Sequence, residues 1–136
     1  MRIRKITNAL TFSAVLFAIF VLPASAQLDK LMNTTPQQRA DAQTAFMQSK
    51  LALTADQAPQ IAALNLKYAQ KMEPIIKGSS GSLMKMHQMS GVNNEKETEL
   101  KQILSADQFQ KYLASKEEMR EKVVEKIEEK AAGGGQ

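Results

Sequence analysis

Four soft side chains fall within the six residues 84–89: Met84, Met86, His87 and Met89, His87 being the only histidine in the chain. Thioether sulfur and imidazole nitrogen suit Cu(I), so binding of that ion is the first chemistry these residues raise. Conformation decides whether they can act together. On a helix Met84 and Met86 point about 200° apart, and sharing an ion would require a loop or a strand here. In a helical segment the same methionines pack, or present an adaptable apolar surface. Zinc is served less well, because a tetrahedral site wants several Cys, His or carboxylate ligands and one histidine per chain would have to be shared between subunits. We therefore assign no metal and no cofactor, and carry Met84, Met86, His87 and Met89 forward as the metal candidates.

Catalysis finds no other foothold. The chain has no cysteine, no Gly-rich phosphate loop, no nucleophile elbow and no helix motif pairing His with a carboxylate. No catalytic residue is nominated and the chain is read as a non-enzyme.

The N-terminus frames the rest. Arg2, Arg4 and Lys5 precede a mostly apolar run over residues 9–22, and Ala24 and Ala26 form a small-x-small site. This order is that of a secretory signal peptide spanning 1–26 and cleaved before Gln27. The run is shorter than the roughly 20 residues of a spanning helix, so stable membrane insertion is not expected. Losing three basic residues takes the formal charge from +4 to about +1. That leaves no clustered basic face for nucleic acid.

What remains is one domain at most, about 110 residues with no tryptophan and few other aromatics. Such a chain buries a small fraction of its surface alone, and a homodimer is the expected remedy.

Helix signals dominate. Thr35 and Pro36 make an N-cap and first helical position, opening a helix that should end near residues 51–53. Residues 53–57 read Leu-Thr-Ala-Asp-Gln, and residues 104–108 repeat this as Leu-Ser-Ala-Asp-Gln. In each, the hydroxyl of Thr54 or Ser105 can accept from the backbone of Gln57 or Gln108, whose side chain reaches back. Leu53 and Leu104 precede the caps, and Leu104 can staple onto Phe109. Both pentapeptides are thus read as helix starts, with no chemistry implied.

After the first, Ile61, Leu64, Tyr68, Met72 and Ile75 form one apolar stripe. Pro59 and Pro74 strain that helix, and Gly78-Ser-Ser-Gly-Ser82 should break it. A short helix is expected over residues 95–103. A last one follows Ser105, with Phe109, Tyr112, Leu113, Met119, Val123 and Ile127 on one side. Its charged side, including a Glu118–Lys122 pair, is read as a solvated face. The expected divisions are a signal peptide (1–26), a flexible segment (27–34), a helical domain (35–131) and a disordered tail (132–136).

The two Leu-Thr/Ser-x-x-Gln motifs, in a short helical chain behind an export signal, resemble the Spy/CpxP-like periplasmic family named for its LTxxQ motif. Ser105 stands where that motif has Thr and keeps the capping hydroxyl. The resemblance covers roughly residues 35–127. It implies an all-α fold of about four helices in an elongated bent hairpin, dimerising antiparallel into a thin cradle. It also implies a periplasmic envelope-stress role: ATP-independent chaperoning of unfolded or misfolded envelope proteins, or alternatively metal response or inhibition of a sensor kinase through its periplasmic domain. On that reading Ile61, Leu64, Tyr68 and Met72 are a client-binding surface; otherwise they are core. A helical envelope protein without client activity is the third option.

Overall fold

The computed structural model describes residues 33–133, apart from the side chains of Ile127, Lys130 and Ala131. The expected signal peptide, most of the expected flexible segment (27–32) and the end of the tail (134–136) lie outside the described residues. Five helices and no strand are present among those described: α1 Pro36–Leu51, α2 Gln57–Lys77, α3 Ser82–Ile103, α4 Ala106–Ala114 and α5 Lys116–Gly133.

Local chemistry explains the starts. Thr35 and Ser105 each form both halves of a capping box, with Gln38 and Gln108. Thr54 does the same, its hydroxyl accepting from Gln57 N–H at 3.2 Å and its own N–H donating to Gln57 Oε1 at 3.0 Å. Regular helix nevertheless begins only at Gln57. Ala58 N–H bonds Thr54 O at 3.0 Å, but Pro59 has no N–H for the next carbonyl, and Ala55 and Asp56 remain a turn.

Pro74 does not end α2, which continues to Lys77. Gly78 is the stop: its backbone is extended, and a Cβ there would sit 2.8 Å from Pro74 O. Lys85 Nζ then donates to Ile76 O at 2.9 Å, a cation at the negative end of α2.

Three expectations are corrected. The short helix expected over residues 95–103 is the end of a single 22-residue helix that begins at Ser82 and whose inner face buries Lys85, Val92, Lys96 and Leu100. Burial of that face outweighs Gly91, whose cost in a helix interior is about 1 kcal/mol. The expected last helix is two, divided at Ser115, whose Oγ donates to Lys111 O at 2.7 Å and to Tyr112 O at 3.2 Å, the kind of back-bond that interrupts a helix. The flexible segment and tail are also shorter than expected. Thr34 is buried, its carbonyl and hydroxyl accepting from Arg39 Nη1 at 2.7 and 3.1 Å, and α5 continues through Ala132 to Gly133.

Contacts fix the topology. Arg39 donates to Ala69 O and pairs with Glu73, and Asn65 donates to Thr44, so α1 and α2 are antiparallel. Lys67–Glu99 and Lys71–Glu95 pairs set α3 antiparallel to α2. Lys96 Nζ on α3 reaches Gln43 Oε1 on α1 at 2.6 Å. Returning along the other side of α1, α5 pairs Glu118 with Lys50 at 2.6 Å. α4 packs against both α1 and α3, closing the helices into a bundle around one face of α2. That is why the second-helix stripe is core: Ile61, Leu64 and Tyr68 are 0%, 6% and 3% exposed, and Met72 and Ile75 pack at their edge.

Candidate functional site

Gln57 and Gln108, 51 residues apart, meet. Gln57 Nε2 donates to Gln108 Oε1 at 2.8 Å, and Gln108 Nε2 donates to Gln57 Oε1 at 2.9 Å. Each Oε1 also accepts from its own cap, Thr54 N–H at 3.0 Å and Ser105 N–H at 2.9 Å. The remaining donor of each amide reaches the carbonyl that ends a helix: Gln57 to Ile103 O of α3 at 2.9 Å, Gln108 to Leu51 O of α1 at 3.1 Å. Both amides therefore spend both donors and take two bonds on each oxygen, which fixes their orientation. The two motifs are one device, closing the ends of α1 and α3 with the starts of α2 and α4.

The halves differ by one residue. One residue, Leu104, separates α3 from its cap Ser105, whereas Ala52 and Leu53 separate α1 from Thr54. Ala52 takes up the extra step at φ 48°, ψ 55°, the left-handed conformation that favours glycine. Leu104 is buried and Leu53 half-buried, both packed with Phe109 and Tyr112 in the core.

Charged and polar groups tie the helices further from this junction. Lys96 is buried with Gln43 Oε1 as its hydrogen-bond acceptor, and burial pushes its ammonium down to about 8 despite neighbouring Glu97. Glu97 in turn pairs with Lys116 at 2.6 Å. Burial pushes the Tyr68 hydroxyl up to about 12, helped by its 2.7 Å donation to Glu99. Hydrogen bonds from Lys67 and from Tyr68 hold the Glu99 carboxyl below its usual range. The expected Glu118–Lys122 pair gives way to Lys50–Glu118 and Lys122–Glu125, each at 2.6 Å.

The methionine cluster is helical, so its ligands diverge. Met84 and His87 lie toward one side of α3, Met86 and Met89 toward the other, and the four do not converge on one point. Among the described residues no group of three His, Cys, Asp or Glu side chains could hold a metal ion. Leu83 is 83% exposed, Met84 54% and Met86 58%. With Leu113, these are the exposed large apolar side chains among the described residues, in place of the buried Ile61, Leu64 and Tyr68.

A family comparison matches residues 25–112 to a domain of unknown function, DUF4890. The chain belongs to the DUF4890 family. The matched region takes in both pentapeptides, the glutamine bridge and the methionine-rich start of α3; α5 lies beyond it. No curated protein and no solved structure matches this DUF4890 chain. No described helix is long and apolar enough to cross a membrane.

The glutamine contact lay within reach of sequence reasoning. Two caps at equal offset within their motifs, joined by two helices of similar length, must lie near each other if those helices pack as a hairpin.

Proposed function

We propose that the protein is an exported, periplasmic, chaperone-like binder that holds exposed apolar segments of unfolded or misfolded envelope proteins without ATP. The observation that carries this reading is the exposed group Leu83, Met84 and Met86 on the first turns of α3. Residues 78–94 carry one Lys, Lys85, and no Arg, Asp or Glu; Lys85 is turned inward onto Ile76 O. An uncharged, methionine-bearing helix face can accept varied apolar partners, because thioether side chains are flexible and polarisable. Contacts of that kind are shallow, so a client leaves without an energy source. The export signal and the paired LTxxQ-like motifs, with their resemblance to Spy/CpxP-like proteins, support the same reading.

Its test is aggregation of an unfolded substrate, followed by light scattering with the protein in several-fold molar excess and no nucleotide. Protection should fall severalfold in Leu83→Asp/Met84→Asp, whose charges replace exposed side chains and leave the core intact. Equal protection by parent and variant, or none by either, would remove this function while leaving the fold untouched.

A further inference from the structure

The first turns of α3 project past the start of α1. α1 and α3 are parallel, each being antiparallel to α2, and the Lys96–Gln43 contact sets their register. In that register Pro36, where α1 begins, is level with Met89. Residues 82–88 therefore have no α1 beside them. α5 does not fill the gap: it runs opposite to α1, lines one groove with Ala42 through Glu129, and its described part ends at Gly133.

The exposed side of this overhang is not uniform. Leu83, Met86 and Met89 are spaced by three and form one ridge, running from 83% exposed at Leu83 through 58% at Met86 to half-buried at Met89. Met86 lies three turns before Glu97 and on the same face, the face that Glu97 turns toward Lys116. Met84, of almost equal exposure at 54%, is on the opposite side.

The chain leading into α1 arrives at this place. Thr34 is held by Arg39, which also touches Ala69 and Glu73 on α2 and lies one turn before Gln43 on the α1 face that meets α3. The residues before it are Gln27-Leu-Asp-Lys-Leu-Met32, apolar at Leu28, Leu31 and Met32. Extended, six residues reach about 20 Å, whereas residues 82–88 of a helix span about 10 Å.

We propose that residues 27–32 dock along α3, laying Leu28, Leu31 and Met32 on the Leu83–Met86–Met89 ridge and leaving Met84 open. The segment then stands where a further turn of α1 would stand, and half of the apolar surface of α3 has an occupant from its own chain. Docking stands whether or not clients bind; a client meets Met84 directly and reaches Leu83 and Met86 by displacing this segment.

Methionine oxidation reads it directly. The intact purified protein is treated with dilute hydrogen peroxide, and sulfoxide at Met84 and Met86 is followed by peptide mass spectrometry. Equal exposure predicts equal rates if nothing covers either side chain, so docking should slow Met86 severalfold relative to Met84. In Leu28→Ser/Leu31→Ser/Met32→Ser, whose changes lie outside all five helices, the two rates should converge. Equal rates in the parent overturn the proposal. So does protection of Met86 that survives the triple substitution, which would name another occupant such as a second copy. The cysteine-free chain allows a second measurement: Leu31→Cys with Met86→Cys should close a disulfide within one chain faster than Leu31→Cys with Met84→Cys, and disulfide-linked dimers in its place also overturn it.

Discussion

Substituting Gln57 by Ala removes four hydrogen bonds of 2.8 to 3.0 Å: one to its own cap, one to Ile103 O and two to Gln108. Thr54 N–H is exposed and water replaces its partner, so that bond contributes little to the loss. Ile103 O and the Gln108 amide are part-buried, where a lost bond costs about 1 kcal/mol each. The sum is about 2 to 3 kcal/mol for Gln57→Ala, and Gln108→Ala loses the matching set. The two bonds between the amides vanish in either variant, so the double variant should cost about 1 to 2 kcal/mol less than the sum of the singles. Urea unfolding followed by far-ultraviolet circular dichroism measures all four corners of this cycle. Additivity within about 0.5 kcal/mol would refute the bridge and leave two unrelated caps.

Gln57→Glu sharpens the same test. A carboxylate there has no donor for Ile103 O or Gln108 Oε1, and those oxygens raise its folded pKa. With a raised folded value, stability is full below the unfolded carboxyl pKa and is lost as pH rises through the folded one. The variant should be more stable at pH 4 than at pH 7, relative to the parent at each pH.

Ala52→Gly should stabilise the protein by about 0.5 to 1 kcal/mol in the same unfolding assay, because alanine at φ 48° carries a strain that glycine lacks. Lys96 gives a pH signature. Its folded value lies at about 8, below its ordinary 10.5, so between these values the unfolded chain holds more protons and stability rises with pH. Lys96→Met should flatten that rise between pH 8 and 10, measured by urea midpoints, before tyrosine ionisation opposes folding at higher pH.

The all-α fold was legible because capping and apolar periodicity are local. Thr35, Thr54 and Ser105 each announce a helix within four residues of sequence, and each forms the reciprocal bonds its spacing allows. What failed was long-range or ambiguous. Ser90, Gly91, Asn93 and Asn94 look like breakers, yet Val92, Lys96 and Leu100 on the same segment bury against α1 and α2 and hold it helical. Ile61, Leu64 and Tyr68 form a regular stripe whether that stripe faces solvent or core, and periodicity cannot decide between them. The packing of α4 against α1 and α3, with Phe109 and Tyr112 joining Ile61, Leu64 and Tyr68 in one core, decides it. Ser115 shows the converse case: its hydroxyl can cap, face water or bond backward, and only the folded backbone selects the last.

The interval between the two pentapeptides carries the most structural information in the chain. From Gln57 the chain runs out through α2, 21 residues and about 32 Å, and back through α3, 22 residues and about 33 Å. Equal legs return Ile103 to the level of Gln57, which lets one glutamine close the end of the helix that its own hairpin has just delivered. The same argument holds from the other side, where Gln108 closes α1. A one-turn insertion into α2 alone would displace the end of α3 by about 5 Å, beyond hydrogen-bond reach, unless α3 lengthened by the same turn. Helix length in this fold is therefore constrained in pairs, and the recurrence of Leu-Thr/Ser-Ala-Asp-Gln after 51 residues is the sequence form of that constraint.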